Sequence, residues 1–173
     1  MINMNFLFID LECAVCTSTK KRICSFGYVL TDSNLNIIKE EDILINPKRF
    51  SSDIMNNVIA YKKEELENSK EFDYYYDYIK ELLSDKNNVV IGQDIKNDAS
   101  YLIDTCKRYQ KDSIDFVFYD FAEVYRNYKN LGQISSLEIE RTKLGVTTNQ
   151  GEKHTSLRDA QILYECFRNK KCI

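Results

Sequence analysis

The stretch Phe6-Leu7-Phe8-Ile9-Asp10-Leu11-Glu12 constrains this chain most, because an apolar run of strand length carries two carboxylates at its end. A β-strand sends successive side chains to opposite faces, so Phe6, Phe8, Asp10 and Glu12 share one face while Leu7, Ile9 and Leu11 share the other. The run reads as a buried strand, and the acids stand where the core ends. Their Cα atoms are roughly 6.6 Å apart at about 3.3 Å rise per residue. That is close enough to share a divalent cation and too close for both to ionise cheaply in a dry site without one. Taken alone, Asp-x-Glu equally describes a strand fraying into a polar loop.

A chain of 173 residues, 43% hydrophobic and 29% charged, reads as one soluble domain over residues 1–173. No run approaches the roughly 20 apolar residues of a membrane span, and the N-terminus lacks a signal-peptide pattern. A cytoplasmic protein with no membrane partner is expected. Its six cysteines then read as reduced thiols. Cys13 and Cys16 have metal-ligand spacing, but only Cys24 is near in sequence and the one histidine is distant, whereas structural zinc takes four ligands. The net charge of −3 argues against a broad basic surface for nucleic acid, yet two divalent cations on acidic residues would change it to +1 and concentrate that potential at one site.

Residues 23–30 and 35–45 read as a hairpin around Thr31-Asp32-Ser33-Asn34, with Asn46-Pro47 ending its second strand. Helical spacing predicts a helix within residues 61–83, with Phe72, Tyr75, Tyr76, Ile79, Leu82 and Leu83 inward and Tyr74 and Tyr78 outward. A strand over residues 88–92 leads to a helix opened by Asp98, with Leu102, Ile103 and Cys106 along its stripe. A fifth strand is expected over residues 114–119, then helices to about residue 128 and from Ser135 or Ser136 to Leu144, stopped by Gly145. A polar loop precedes a last helix striped by Leu157, Ala160, Leu163, Tyr164 and Phe167. This order predicts an α/β fold with a mixed five-stranded sheet.

Three segments therefore place acids where apolar faces end: Asp10 and Glu12, Asp98, and Asp159 one turn before Leu163. Asp98, or its neighbour Asn97, could equally be a helix cap. Four carboxylates brought together repel one another unless hard cations bind them, and oxygen ligands suit Mg²⁺ or Mn²⁺. His154, the single histidine, precedes Asp159 by five residues. With an intrinsic pKa near 6.5 it can take a proton at neutral pH.

Phe8-Ile9-Asp10-Leu11-Glu12, Ile91-Gly92-Gln93-Asp94-Ile95-Lys96-Asn97-Asp98 and His154-Thr155-Ser156-Leu157-Arg158-Asp159-Ala160 resemble, in order, the three motifs of the DEDDh-type DnaQ-like 3′-5′ exonucleases. Ser136-Leu137 and Leu144-Gly145 resemble that family's helix and turn ahead of the histidine. The resemblance implies a ribonuclease-H-like fold with helices on both faces of the sheet. It also implies release of nucleoside 5′-monophosphates from 3′ ends of single-stranded DNA or RNA. Asp10, Glu12, Asp98 and Asp159 would hold two divalent cations, Mg²⁺ or Mn²⁺, and His154 would be the general base. Cys13-Ala14-Val15-Cys16 departs from the family's Thr-Thr-Gly, which bears on how the terminal nucleotide is handled. Gln93-Asp94 departs from His-Asn and Asn97 from an aromatic residue, which makes Asp94 a rival to Asp98 as third acid, with the spacing to the helix favouring Asp98. Asp-x-Glu-x-x-Cys resembles the branch of KapD and the enhanced-RNAi exonucleases, which tilts the expected substrate toward RNA. A non-catalytic module of the same fold, binding nucleic acid or protein, is the alternative.

Overall fold

A computed structural model describes residues 4–17, 20–129 and 153–170. Its strands are β1 (Asn5–Cys16), β2 (Lys21–Thr31), β3 (Ile37–Leu44), β4 (Asn88–Gly92) and β5 (Phe118–Asp120). The helices are α1 (Ser52–Asn57), α2 (Lys63–Glu67), α3 (Phe72–Ser84), α4 (Ile95–Arg108), α5 (Phe121–Lys129) and α6 (Ser156–Lys170). The strands form one mixed sheet in the order β3-β2-β1-β4-β5. β1, β2 and β3 are antiparallel neighbours, while β4 lies parallel to β1 and β5 parallel to β4.

The alternation in β1 sorts the two layers. Leu7, Ile9 and Leu11 pack with Phe26 and Tyr28 of β2 under Phe72, Tyr76, Ile79 and Leu83 of α3 and Ile95, Leu102 and Cys106 of α4. Phe8, Val29 and Ile91 face the other way, against Phe121 of α5 and Ala160, Leu163 and Phe167 of α6. Helices thus cover both faces, and burial of these side chains, at about 25 cal/mol per Å² of apolar surface, is the main force holding the layers together. Tyr76 is buried while Tyr74 is 70% and Tyr78 37% exposed, as helical spacing predicts.

Several elements differ from expectation. β1 does not end at Glu12 but continues to Cys16, with irregular register at Cys13, because β2 goes on pairing with it. The stretch 61–83 is interrupted after Glu67, leaving Tyr61 outside any helix, and α1 lies before it. β5 is shorter than expected and starts later, at Phe118. α4 starts at Ile95, so Asp98 is one turn inside the helix instead of opening it. The helix expected from residue 135 or 136 to Leu144 lies outside the described residues. Among the described residues no helix is long and apolar enough to cross a membrane.

One topological feature positions everything below. β1 pairs with β4 only as far as Phe8 opposite Ile91. Beyond it, Asp10 and Glu12 keep β2 on one side and lose their neighbour on the other. Clefts of this kind, beyond the carboxyl ends of parallel strands, are where α/β sheets hold ligands.

Candidate active site

Asp10 and Glu12 stand on the face of β1 that also carries Phe8, opposite Gly27 and Ser25 of β2. Gly27 lets α6 reach this point: a Cβ there would lie 2.1 Å from both the Leu157 nitrogen and the Ser156 carbonyl carbon. The start of α6 is set locally by Thr155, whose Oγ1 accepts the Arg158 N–H at 3.2 Å as an N-cap does. Just before the cap, the His154 N–H donates to the Val58 carbonyl at 2.8 Å and the Ala60 N–H to the His154 carbonyl at 2.9 Å. This backbone bridge holds the loop, and the first turn of α6 brings in Asp159.

His154 Nδ1 lies 2.8 Å from Asp159 Oδ2, with the imidazole 55% and the carboxylate 20% exposed. One ligand atom from each of Glu12, His154 and Asp159 falls within 4.8 Å of the others, the one such grouping of metal-ligating residues among the described residues. Asp98 approaches from the first turn of α4, and its Oδ2 is buried without a hydrogen-bond partner. Asp94 instead caps the helix end in left-handed conformation, φ 51°, ψ 33°, and is exposed. The two acids differ in depth: Asp98 is buried and Asp94 is exposed.

The electrostatics carry the mark of mutual repulsion. Burial pushes the Asp10 carboxyl well above its usual range, and Asp98, Glu12, Asp159 and Asp42 add to the effect. Burial and then Asp159 push Glu12 up to about 7, with His154 opposing. Burial also raises Asp98, followed by Glu12, Asp94 and Asp120. Carboxylates held together out of water, one with an unpartnered buried oxygen, fit hard cations that accept oxygen ligands. Cys13 is buried and its thiol is pushed up to about 12, mainly by burial, which makes it a poor thiolate. Cys16, exposed at the end of β1, takes a 2.9 Å hydrogen bond from Lys21 Nζ.

A polar cluster that sequence reasoning missed underlies α6. Asp42 of β3 lies across Gly27 from Asp10. Tyr61 Oη donates to Asp42 at 2.8 Å and accepts the Ser156 N–H at 2.9 Å. Ser156 Oγ is 2.7 Å from Ser25 Oγ and 3.0 Å from Asp42 Oδ1. The cluster fixes the first residue of α6 onto the sheet, three positions before Asp159. Tyr61→Phe strips Ser156 of its acceptor and Asp42 of a donor in buried surroundings. The expected cost is about 1–3 kcal/mol, read as a drop of several degrees in Tm. An unchanged Tm would show that the cluster is not holding the helix.

The sequence matches the family model RNase_T, described as Exonuclease, over residues 7–167. No curated protein matches. Among solved structures, a full-length 3′-exonuclease shares the fold at a TM-score of 0.79 and 15% identity, covering 98% of this chain and 84% of that one. The nuclease domain of 3′hExo, a DEDDh family member bound to rAMP, gives a TM-score of 0.77 at 16% identity over 95% of this chain and 90% of that one. Exonuclease I of E. coli, in complex with a dA16 oligonucleotide, gives 0.73 at 16% identity over 95% of this chain but 41% of that one. A 3′-exonuclease that recognises the histone mRNA stem-loop is matched over 62% of its length. This chain thus spans less than two thirds of some of these proteins, and at such identities the likeness is one of fold. The family match, by contrast, is one of sequence and runs from the first apolar strand into the last helix: the chain belongs to the RNase_T exonuclease family.

Proposed function

We propose that residues 1–173 act as a single metal-dependent exonuclease domain that hydrolyses single-stranded DNA or RNA from the 3′ end and releases nucleoside 5′-monophosphates. The observation that carries this reading is the convergence of Asp10, Glu12, Asp98 and Asp159 with His154 on a fold shared with 3′-exonucleases. A non-catalytic module has no use for such repulsion and would leave the histidine turned away, whereas His154 lies 2.8 Å from Asp159.

Asp10, Glu12, Asp98 and Asp159 would hold two divalent cations, Mg²⁺ or Mn²⁺, which neutralise the carboxylates and lower the pKa of water. His154 has its own task. With Nδ1–H donated to Asp159, Nε2 carries the lone pair and takes the proton from the attacking water. The water oxygen bonds to phosphorus as the bond to the 3′-oxygen of the penultimate nucleotide breaks, leaving a 5′-monophosphate on the released nucleoside. Both an rAMP-bound and a dA16-bound structure share the fold, which suits a strand of either sugar. Cys13, Cys16, Cys24 and Cys106 are free thiols, which suits the reducing cytoplasm.

The test is a product ladder. With Mn²⁺, matched 5′-labelled DNA and RNA oligomers should shorten one nucleotide at a time from the 3′ end, and His154→Gln should slow this roughly 10²- to 10⁴-fold. Intact oligomers, or a His154→Gln ladder as fast as the wild type, would remove the assignment.

A further inference from the structure

A group of cations stands at the end of α4 opposite Asp98. β1 and β2 run past the acidic site to Cys16 and Lys21, and this projecting end rests against the last turn of α4, where Arg108 Nη2 donates to the Lys21 carbonyl at 2.5 Å. Lys20, Lys21, Arg22, Lys107 and Arg108 line a depression of about 430 Å³ with Asp104. None of the five cations pairs with a carboxylate among the described residues. In a chain of net charge −3 such a concentration is not a consequence of composition. Holding like charges together costs free energy, and the Arg108 guanidinium is pushed down by burial and then by Arg22. A bound polyanion would relieve that repulsion and release its own counterions.

The group also has a defined place relative to the acids. Asp98, Tyr101, Thr105 and Arg108 follow the face of α4 that packs on β1 and β2, with Asp98 and Thr105 buried and Tyr101 and Arg108 half-buried. Lys21 Nζ is held 5.0 Å from the centre of the Tyr101 ring, between the acids and the remaining cations. From Asp98 to Arg108 the helix rises roughly 15 Å at 1.5 Å per residue, about the span of four stacked nucleotides at 3.4 Å each.

We propose that Lys20, Lys21, Arg22, Lys107 and Arg108 form a track for the phosphates of a single strand, about four nucleotides on the 5′ side of the terminus held by the acids. The inference rests on the exonuclease reading for its direction. Its consequence is length selectivity: a strand of three nucleotides ends before the track, and one of twelve occupies it.

The test compares fluorescence anisotropy of a labelled 12-mer and competition by a trimer on a His154→Gln background with Ca²⁺ in place of Mn²⁺, a hard cation that neutralises the acids while hydrolysis is suppressed. Charge reversal at two exposed positions, Lys20→Glu with Lys107→Glu, should weaken 12-mer binding about tenfold and trimer binding less than twofold. The slope of log affinity against log salt should become shallower by about 1.4, at about 0.7 per phosphate contact on a single strand. Lys86→Glu, exposed in the turn before β4 at the other end of that strand, should leave both unchanged. Equal losses for 12-mer and trimer, or no loss, would overturn the track. A wild type that binds the 12-mer yet leaves it intact with Mn²⁺ overturns the exonuclease reading alone, because the length dependence of binding still decides whether the cations carry a strand.

Discussion

Asp10→Asn is expected to lower 3′-end hydrolysis by roughly 10³-fold or more while making the metal-free protein more stable than the wild type. Both effects come from one cause. In the folded protein the Asp10 carboxyl is pushed well above its usual range by burial and by the acids around it. Asparagine keeps the shape, removes the charge and with it the ability to share a hard cation. The sign of the pH dependence follows from linkage. An acid whose folded pKa is raised binds protons more tightly folded than unfolded, so its contribution is fully present below the unfolded pKa and is lost as pH rises through the folded one. Glu12, raised from 4.5 to about 7, accounts for a fall on the order of 3 kcal/mol across that window, and Asp10 and Asp98 fall in the same direction. In EDTA the wild-type Tm should therefore decline from about pH 4.5 to above pH 7, and the decline should be shallower in Asp10→Asn. Millimolar Mn²⁺ should reverse the slope in the wild type, because cations bind the ionised carboxylates and stabilise the fold that presents them. Thermal unfolding across pH, with and without Mn²⁺, reads all of this. A wild type whose Tm ignores both pH and Mn²⁺ would show that the acids do not form a metal site.

The acids themselves were legible because each sits on a periodic element. Alternation in β1 puts Asp10 and Glu12 on the side of Phe8, and the stripe Ala160, Leu163, Tyr164, Phe167 fixes which side of α6 carries Asp159. Between Asp98 and its rival Asp94 the spacing to the helix already favours Asp98; what pattern could not show is that Asp94 takes a left-handed backbone at the exposed N-cap while Asp98 is buried. Asp42 was illegible for a different reason. In Lys39-Glu40-Glu41-Asp42 it looks like one more charge on a solvated strand. Its place beside the site depends on the register of two successive strand pairings, which put Asp10, Gly27 and Asp42 in one row. Tyr61 was hidden likewise, since its hydroxyl meets Ser156, 95 positions away. Local periodicity reveals which face a residue takes; it says nothing of what a distant segment lays upon that face.

That row makes Gly27→Ala a strongly damaging substitution. The backbone at Gly27 is ordinary strand, paired on both sides, so an alanine meets no conformational penalty. The obstacle is space: the new methyl would sit 2.1 Å from the Leu157 nitrogen, 2.1 Å from the Ser156 carbonyl carbon and 2.5 Å from the Ser156 oxygen. All three are backbone atoms, so no side-chain rotation clears them and the start of α6 has to lift from the sheet. Lifting it breaks the contacts of Ser156 with Tyr61, Ser25 and Asp42 and moves His154 and Asp159 away from Asp10 and Glu12. Overpacking of this kind costs about 1–3 kcal/mol, and each lost buried hydrogen bond adds about 1 kcal/mol. Together they predict a Tm lower by roughly 10 °C at about 2–4 °C per kcal/mol for a chain of this size. Activity should fall further than stability, because displacement by about 1 Å of positioned catalytic groups costs on the order of 10²-fold. The informative measurement is kcat at a temperature where the variant is fully folded by circular dichroism. If kcat there equals the wild-type value, α6 does not need its seat on Gly27 to deliver His154 and Asp159 to the site.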